Sequence, residues 1–313
     1  MPFDRDAMKQ KAADLAANGI FIGTSSWKYP GWRGMLYDDA RYVWRGKFAK
    51  ARFEENCLNE YAEVFKTVCV DGAYYRFPTA KQLEALSAQV PDDFKFAFKV
   101  TDSITLKRFT NLPRFGKNAG GANPYFLDAE LFQRAFLEPC WAIRSQVGLL
   151  MFEFSRFYPS DFEHGRDFVA ALDAFLGKLP RDWSYGVEMR NSNWLKPEYF
   201  ACLARHGVTH VYNSWTEMPP VEEQIALDGS ETNPELTAAR FLLKPGRNYE
   251  AAVKAFKPYM QIKEVNDAAR QAATNLIKNR QNKKTGKTFI YVNNRLEGNA
   301  LETIDAMVEA AAL

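Results

Sequence analysis

The chain has 313 residues, 47% of them hydrophobic and 25% charged, with a formal net charge of +3. That composition excludes a disordered chain, and the balanced charge excludes a global field for nucleic acid or an acidic membrane, though not a local basic patch. Cys57, Cys69, Cys140 and Cys202 are far apart and form no CxxC pair, so they read as thiols of a reducing compartment rather than a disulfide framework.

The chain opens on "MPFDRDAMKQKAADLAANGI", a charged amphipathic helical extension over about 1–19 with no apolar signal core. No later run approaches the ~18 uninterrupted apolar residues of a membrane span, so a cytoplasmic protein is expected. Short β-branched or aromatic runs then recur: "IFIGTS" (20–25), "TVCVDG" (67–72), "FKFAFKV" (94–100), "VGLLMFEF" (147–154), "WSYGVEMR" (183–190), "VTHVYN" (208–213), "RFLLK" (240–244) and "TFIYVNN" (288–294). Segments with apolar residues at helical spacing lie between them, among them "EENCLNEYAEVF", "AKQLEALSAQV", "SDFEHGRDFVAALDAFLGKL" and "PEYFACLARHG". A long helical stretch over about 249–280 carries Pro258, which should kink or break it. Eight alternating repeats predict one α/β domain over 1–313, an eight-stranded parallel β/α (TIM-type) barrel. Neither GxGxxG after the first strand nor GxxxxGK[ST] occurs, which argues against dinucleotide and P-loop folds.

Three connections are longer than a barrel requires: 25–53, 101–125 and 214–237. All follow strands, the first, third and sixth, so they fall at the catalytic face of a barrel. The first holds Trp27, Tyr29, Trp32, Tyr37, Tyr42 and Trp44. These rings either pack the loop onto the barrel mouth or stack on a sugar or base.

Side chains alternate along a strand, so parity sorts interior from exterior. Val187 and Met189 suit the helix side, which sends Gly186, Glu188 and Arg190 inward. The same rule turns Cys69 and Asp71, Ala97 and Lys99, Glu153, Tyr291 and Asn293 into the barrel. The upper interior then collects Asp71, Lys99, Glu153, Glu188, Arg190 and Asn293. A barrel filled only for stability would use branched aliphatic residues there, so the cluster points to a site. A salt-bridged plug is the competing reading.

Five stretches, "IGTSSWKYPGWRG", "TVCVDGAYYRFP", "FKFAFKVTDSIT", "VEMRNSNWL" and "YVNNRLEGNA", occur in the order and spacing of the YecE-like family, also called domain of unknown function number 72. The resemblance runs from Ile20 onward and implies an eight-stranded β/α barrel with its motifs at one end; it assigns no reaction. Trp27, Trp32, Tyr75, Lys99, Glu188, Arg190, Trp194, Asn293, Asn294 and Gly298 stand on matching motif positions. The chain departs from the pattern at Ser26, where a glycine is usual, at Cys69 and Asp71, at Glu153 and at Asn213. The seventh run offers Lys244 where an arginine and a histidine are typical.

Function is read from the cluster. Glu188 is the leading acid/base, with Glu153 beside it; Lys99 and Arg190 hold an anion; Asn293 and Asn294 orient polar groups. Trp27, Trp32, Tyr75, Trp194 and Asp71 complete the binding surface. The expected activity is that of a hydrolase, lyase or isomerase acting on a small polar substrate with sugar or phosphate groups. No cofactor is evident, although Asp71, Glu153 and Glu188 could hold a hard divalent cation. Of the three histidines, His164 and His206 fall on helical stretches, and His210 reads as a satisfied barrel residue. Two alternatives stand: a nucleic-acid or phospho-ligand binder using Arg33, Arg41, Arg45, Lys47, Lys50 and Arg52 with Lys107, Arg108, Arg114 and Lys117, and a scaffold that docks a protein.

Overall fold

A computed structural model describes residues 3–283 and 285–312. Eight strands close into a parallel barrel: β1 (Ile20–Thr24), β2 (Thr67–Val70), β3 (Lys95–Lys99), β4 (Val147–Phe154), β5 (Tyr185–Met189), β6 (Thr209–Asn213), β7 (Leu236–Phe241) and β8 (Lys287–Val292). Each strand pairs with its sequence neighbours, and β8 returns to β1. Such ordering needs a helical crossover after every strand, because parallel neighbours cannot be joined by a tight turn. Among the described residues no helix is long and apolar enough to cross a membrane.

The helices form because their apolar residues fall on one face. In the helix Gly165–Leu176, Phe168, Leu172, Phe175 and Leu176 are buried, a spacing that places them on one stripe toward the sheet. Thr79 starts the helix Ala80–Ser87 by accepting from the Gln82 amide at 3.3 Å, while the Gln82 side chain accepts from the Thr79 amide at 3.1 Å. The N-terminal extension is a helix from Arg5 to Ala17 whose Met8, Ala12 and Leu15 are buried; residues 1 and 2 of the expected segment lie outside the described residues. Its Ala16 touches the lower barrel interior, so the extension packs at that end.

The interior is divided by height. Its lower part is apolar: Phe21, Cys69, Ala97, Leu149, Met151, Val211, Leu236, Ala238, Phe289 and Tyr291 form one buried cluster. Phe21 and Phe289 stack at 4.9 Å. Gly186 is required here, since a Cβ at that position would lie 2.8 Å from Val211 Cγ2 and 3.1 Å from Leu149 Cδ1. The core is already filled at that height, leaving Glu188 as the first inward side chain of β5 above it.

One expectation, the seventh strand, needs correcting. The seventh strand is Leu236–Phe241, not 240–244, so Arg240 lies near its top. Lys244 lies beyond the strand and pairs with Glu264 at 2.9 Å on the surface. The stretch 249–280 is two helices, Tyr249–Phe256 and Asp267–Gln281, with Pro258 in the break between them. His210 faces outward among Tyr199, Phe200 and Tyr212, with Nδ1 3.2 Å from the Tyr199 hydroxyl. Burial lowers its pKa to about 3, so the ring is neutral.

Candidate active site at the C-terminal mouth

The parallel register sets Glu153 of β4 directly beside Glu188 of β5. Two adjacent inward carboxylates repel unless cations separate them. Three cations do so. Glu153 Oε2 meets Lys99 Nζ at 2.6 Å, an Arg190 terminal nitrogen at 2.7 Å and Arg240 at 3.2 Å. Glu188 gives Oε1 to Arg190, at 2.9 Å and 3.0 Å, and Oε2 to Arg240 at 2.6 Å. The other terminal nitrogen of Arg240 reaches Asp71 Oδ1 at 3.1 Å. Arg240 thus links side chains from β4, β5 and the end of β2 across the barrel.

This array fixes protonation. Burial alone would push the Glu153 carboxyl up, but Arg190, Lys99 and Arg240 together outweigh it and hold it at about 2. Burial likewise opposes the charge on Arg240, and Glu188, Asp71 and Glu153 overcome it to raise its pKa further. Burial raises the Cys69 thiol, beneath Asp71, which keeps it protonated. Glu153 is therefore a permanent anion at neutral pH and offers no proton.

Above the array lies a cleft of about 430 Å³. Its charged lining is Asp71, Lys99, Glu153, Arg190, Arg240, Arg114 and Arg295, and its rings include Tyr29, Tyr74, Tyr75, Trp215 and Tyr249. Several cations lie over ring faces: Lys99 over Tyr74 at 4.0 Å, Arg190 over Trp215 at 3.8 Å, Arg295 over Tyr249 at 4.5 Å and Arg114 over Tyr75 at 5.0 Å. Such stacking steers the flat guanidinium groups and leaves their edges free to donate. Arg114 also pairs with the buried Asp102 at 2.5 Å. Five cations thus line the cleft against Asp71 and Glu153, and Glu188 and Asp102 beneath them leave a single net positive charge.

The structure sorts the expected site residues into four groups. Asp71, Lys99, Glu153, Arg190 and the exposed Tyr75 line the cleft together. Glu188 belongs to the array but is 0% exposed and lies below the lining, with both oxygens committed; it cannot touch a bound molecule in this arrangement. Asn293 and Asn294 are buried and shape the turn after β8. Asn293 Oδ1 accepts from the Arg295 amide at 3.0 Å, and Asn294 Oδ1 accepts from the Ala300 amide at 2.8 Å. The first of these bonds holds Arg295 at the rim.

The tryptophans are elsewhere. Trp32 is wholly buried and tilts against Tyr29 at 4.7 Å; Trp27 is buried beside it, and its carbonyl accepts from the Tyr37 hydroxyl. Large rings with few polar atoms give a long loop the apolar area it needs to stay folded, so these two serve as packing. Trp194 stacks on Phe157 at 5.4 Å and Phe168 at 5.5 Å, on the helix side of β5. Asp71, Glu153 and Glu188 do not form, among the described residues, a set whose donor atoms are close enough to share one ion. Their oxygens turn to lysine and arginine instead.

Sequence reasoning missed Arg240. Its signal was a charge imbalance: three acids with two bases, in a barrel interior, call for a third cation. Ser26 carries another readable signal. It stands where the family usually has glycine, and its φ of 130° lies where side chains other than glycine are strained.

An eight-stranded β/α barrel with a polar, salt-bridged cleft at the C-terminal ends of its strands is the class of protein defined by this fold and site. The family model "Protein of unknown function DUF72" matches residues 21–313, and the chain belongs to that family. Solved structures share the fold. A DUF72 family protein from Enterococcus faecalis V583 superposes with a TM-score of 0.63 at 19% identity, covering 94% of this chain and 96% of its own. One from Thermotoga maritima MSB8 gives 0.59 at 17% identity, covering 94% and 98%. No curated protein matches the chain.

Proposed function

We propose that the chain is an enzyme acting on a small polar substrate that carries an anionic group and a planar or sugar-like face. The observation that carries this reading is the uncommitted edge of the array. Among the three acids, only Asp71 is substantially open to the cleft, with 29% of its side chain exposed; Oδ1 takes Arg240, and no described residue bonds Oδ2. A carboxylate with one oxygen anchored and one free, near a lysine ammonium, suits proton abstraction followed by charge stabilisation. Arg190 and Arg295 suit an anionic group on the substrate, Tyr75 and Tyr249 its flat face. Glu153 and Glu188 act here as positioning residues, holding Lys99, Arg190 and Arg240 in place.

The nucleic-acid reading draws less support. Arg33 pairs with Asp39 at 2.9 Å, Arg41 with Glu60 at 3.7 Å, Lys50 with Glu54 at 3.6 Å and Arg108 with Asp161 at 3.2 Å. Much of the loop charge is thus answered locally.

A thermal-shift panel of sugars, nucleotides, phosphorylated metabolites and divalent ions tests the proposal, with hits followed by NMR for turnover. A hit should be weakened by Arg295→Ala, and its turnover should be lost in Asp71→Asn and Lys99→Met while both variants stay folded. Silence across the panel, or turnover that survives both substitutions, would sink the assignment.

A further inference from the structure

Outside the barrel, the helix Pro197–Arg205 packs against the helix Gly165–Leu176. Cys202 and His206 stand four residues apart, so they share one face of the second helix and its cap. Asp173 faces them from the first. Asp173 Oδ1 lies 2.8 Å from His206 Nε2 and 3.8 Å from Cys202 Sγ. Among the described residues this is one trio of metal-ligating side chains whose donor atoms all lie within 4.8 Å of one another.

We infer that Asp173, Cys202 and His206 form a binding site for a zinc-class divalent cation that clamps these two helices. Thiolate, imidazole and carboxylate together match a borderline-soft ion rather than calcium or magnesium. Bonds of about 2.0–2.3 Å in tetrahedral geometry place donor atoms roughly 3.3–3.6 Å apart, so small rotamer changes close the site. Two of the three groups are pre-set. Cys202 is buried at the helix contact, and the His206 side chain is only 11% exposed. A fourth position on the solvent side is left for water.

An ionic contact alone would also join His206, Asp173 and Arg205, whose NH1 lies 2.8 Å from the same Oδ1. In that account the Cys202 thiol is only a weak donor, to Asp173 Oδ1 at 3.8 Å and the Val169 carbonyl at 4.0 Å. The exposed Arg205 is the competitor that the ion must displace from Oδ1.

Cobalt titration of the full chain separates the two accounts. One equivalent of Co²⁺ should give a near-ultraviolet thiolate-to-cobalt band together with visible bands of tetrahedral intensity, and Zn²⁺ should displace it and raise Tm. Cys202→Ser should abolish the near-ultraviolet band; His206→Gln and Asp173→Asn should weaken binding at least tenfold. Arg205→Ala should tighten it. Absence of the thiolate band, its persistence in Cys202→Ser, or equal affinity in wild type and His206→Gln would overturn the assignment. None of these readouts involves the cleft, so failure here leaves the proposed activity standing, and the reverse also holds.

Discussion

The lower and upper halves of this barrel use the same eight strands for opposite physics. Below, Phe21, Leu149, Phe289 and their neighbours fill the cylinder with apolar volume. Above, Lys99, Glu153, Glu188, Arg190 and Arg240 fill it with opposed charges. Apolar filling tolerates a lost side chain in proportion to the cavity it leaves. Ionic filling does not, because removing one member strands its partners in a low-dielectric interior. The lower half therefore supplies stability, and the upper half supplies an electrostatic arrangement that stability must support.

The sharpest way to break this contrast is Glu188→Ala, which leaves Arg190 and Arg240 with one anion fewer between them. It should lower unfolding free energy by about 4 kcal/mol in urea titrations, and a loss below about 1 kcal/mol would mean that water reaches the array. Phe289→Ala in the lower half should cost about 3 kcal/mol with no change in ligand affinity at the cleft. A change in affinity would show that the halves are coupled.

Acid separates them next. The folded Glu153 carboxyl is depressed to about 2 from an ordinary 4.5, so it binds its proton less readily than in the unfolded chain. The stability it contributes is fully present above about pH 4.5 and is lost as pH falls toward 2. Glu153→Gln should flatten the dependence of the urea midpoint on pH in that window, and an unchanged slope would refute the ionic account. Smaller still is Ser26→Gly, which relieves the positive φ and should raise stability by about 1 kcal/mol while keeping the Thr24 hydroxyl bond to the residue-26 carbonyl. Lys244→Ala should change stability by less than about 0.5 kcal/mol and leave binding untouched, since its pair with Glu264 is exposed.

The barrel was legible because alternating apolar periods of two kinds leave few architectures open, and parity along "YGVEM" and "FKFAFK" turned the right side chains inward. The seventh strand was misplaced for a physical reason. Its lower part, "LTAA", carries alanines that give no strand signal, while "LLK" beyond its end extends the apolar run past the residues that pair with β8. Sliding the strand put Arg240 at the wrong end and Lys244 at the mouth. The tryptophans misled for a different reason: ring density marks a loop that must bury area as readily as one that binds a ligand, and only burial tells them apart. Glu188 was placed in the right cluster, but sequence parity cannot say which member of a buried charge array meets solvent.

The ionic array hangs mostly from strands, while the rings and rim arginines that face the cleft come largely from the segments that follow them. The charge array and the rim of the cleft are thus carried by separable parts of the chain. Insertions in the connections can reshape the rim without disturbing how charge is balanced at the centre, so relatives with unlike rims can share one array.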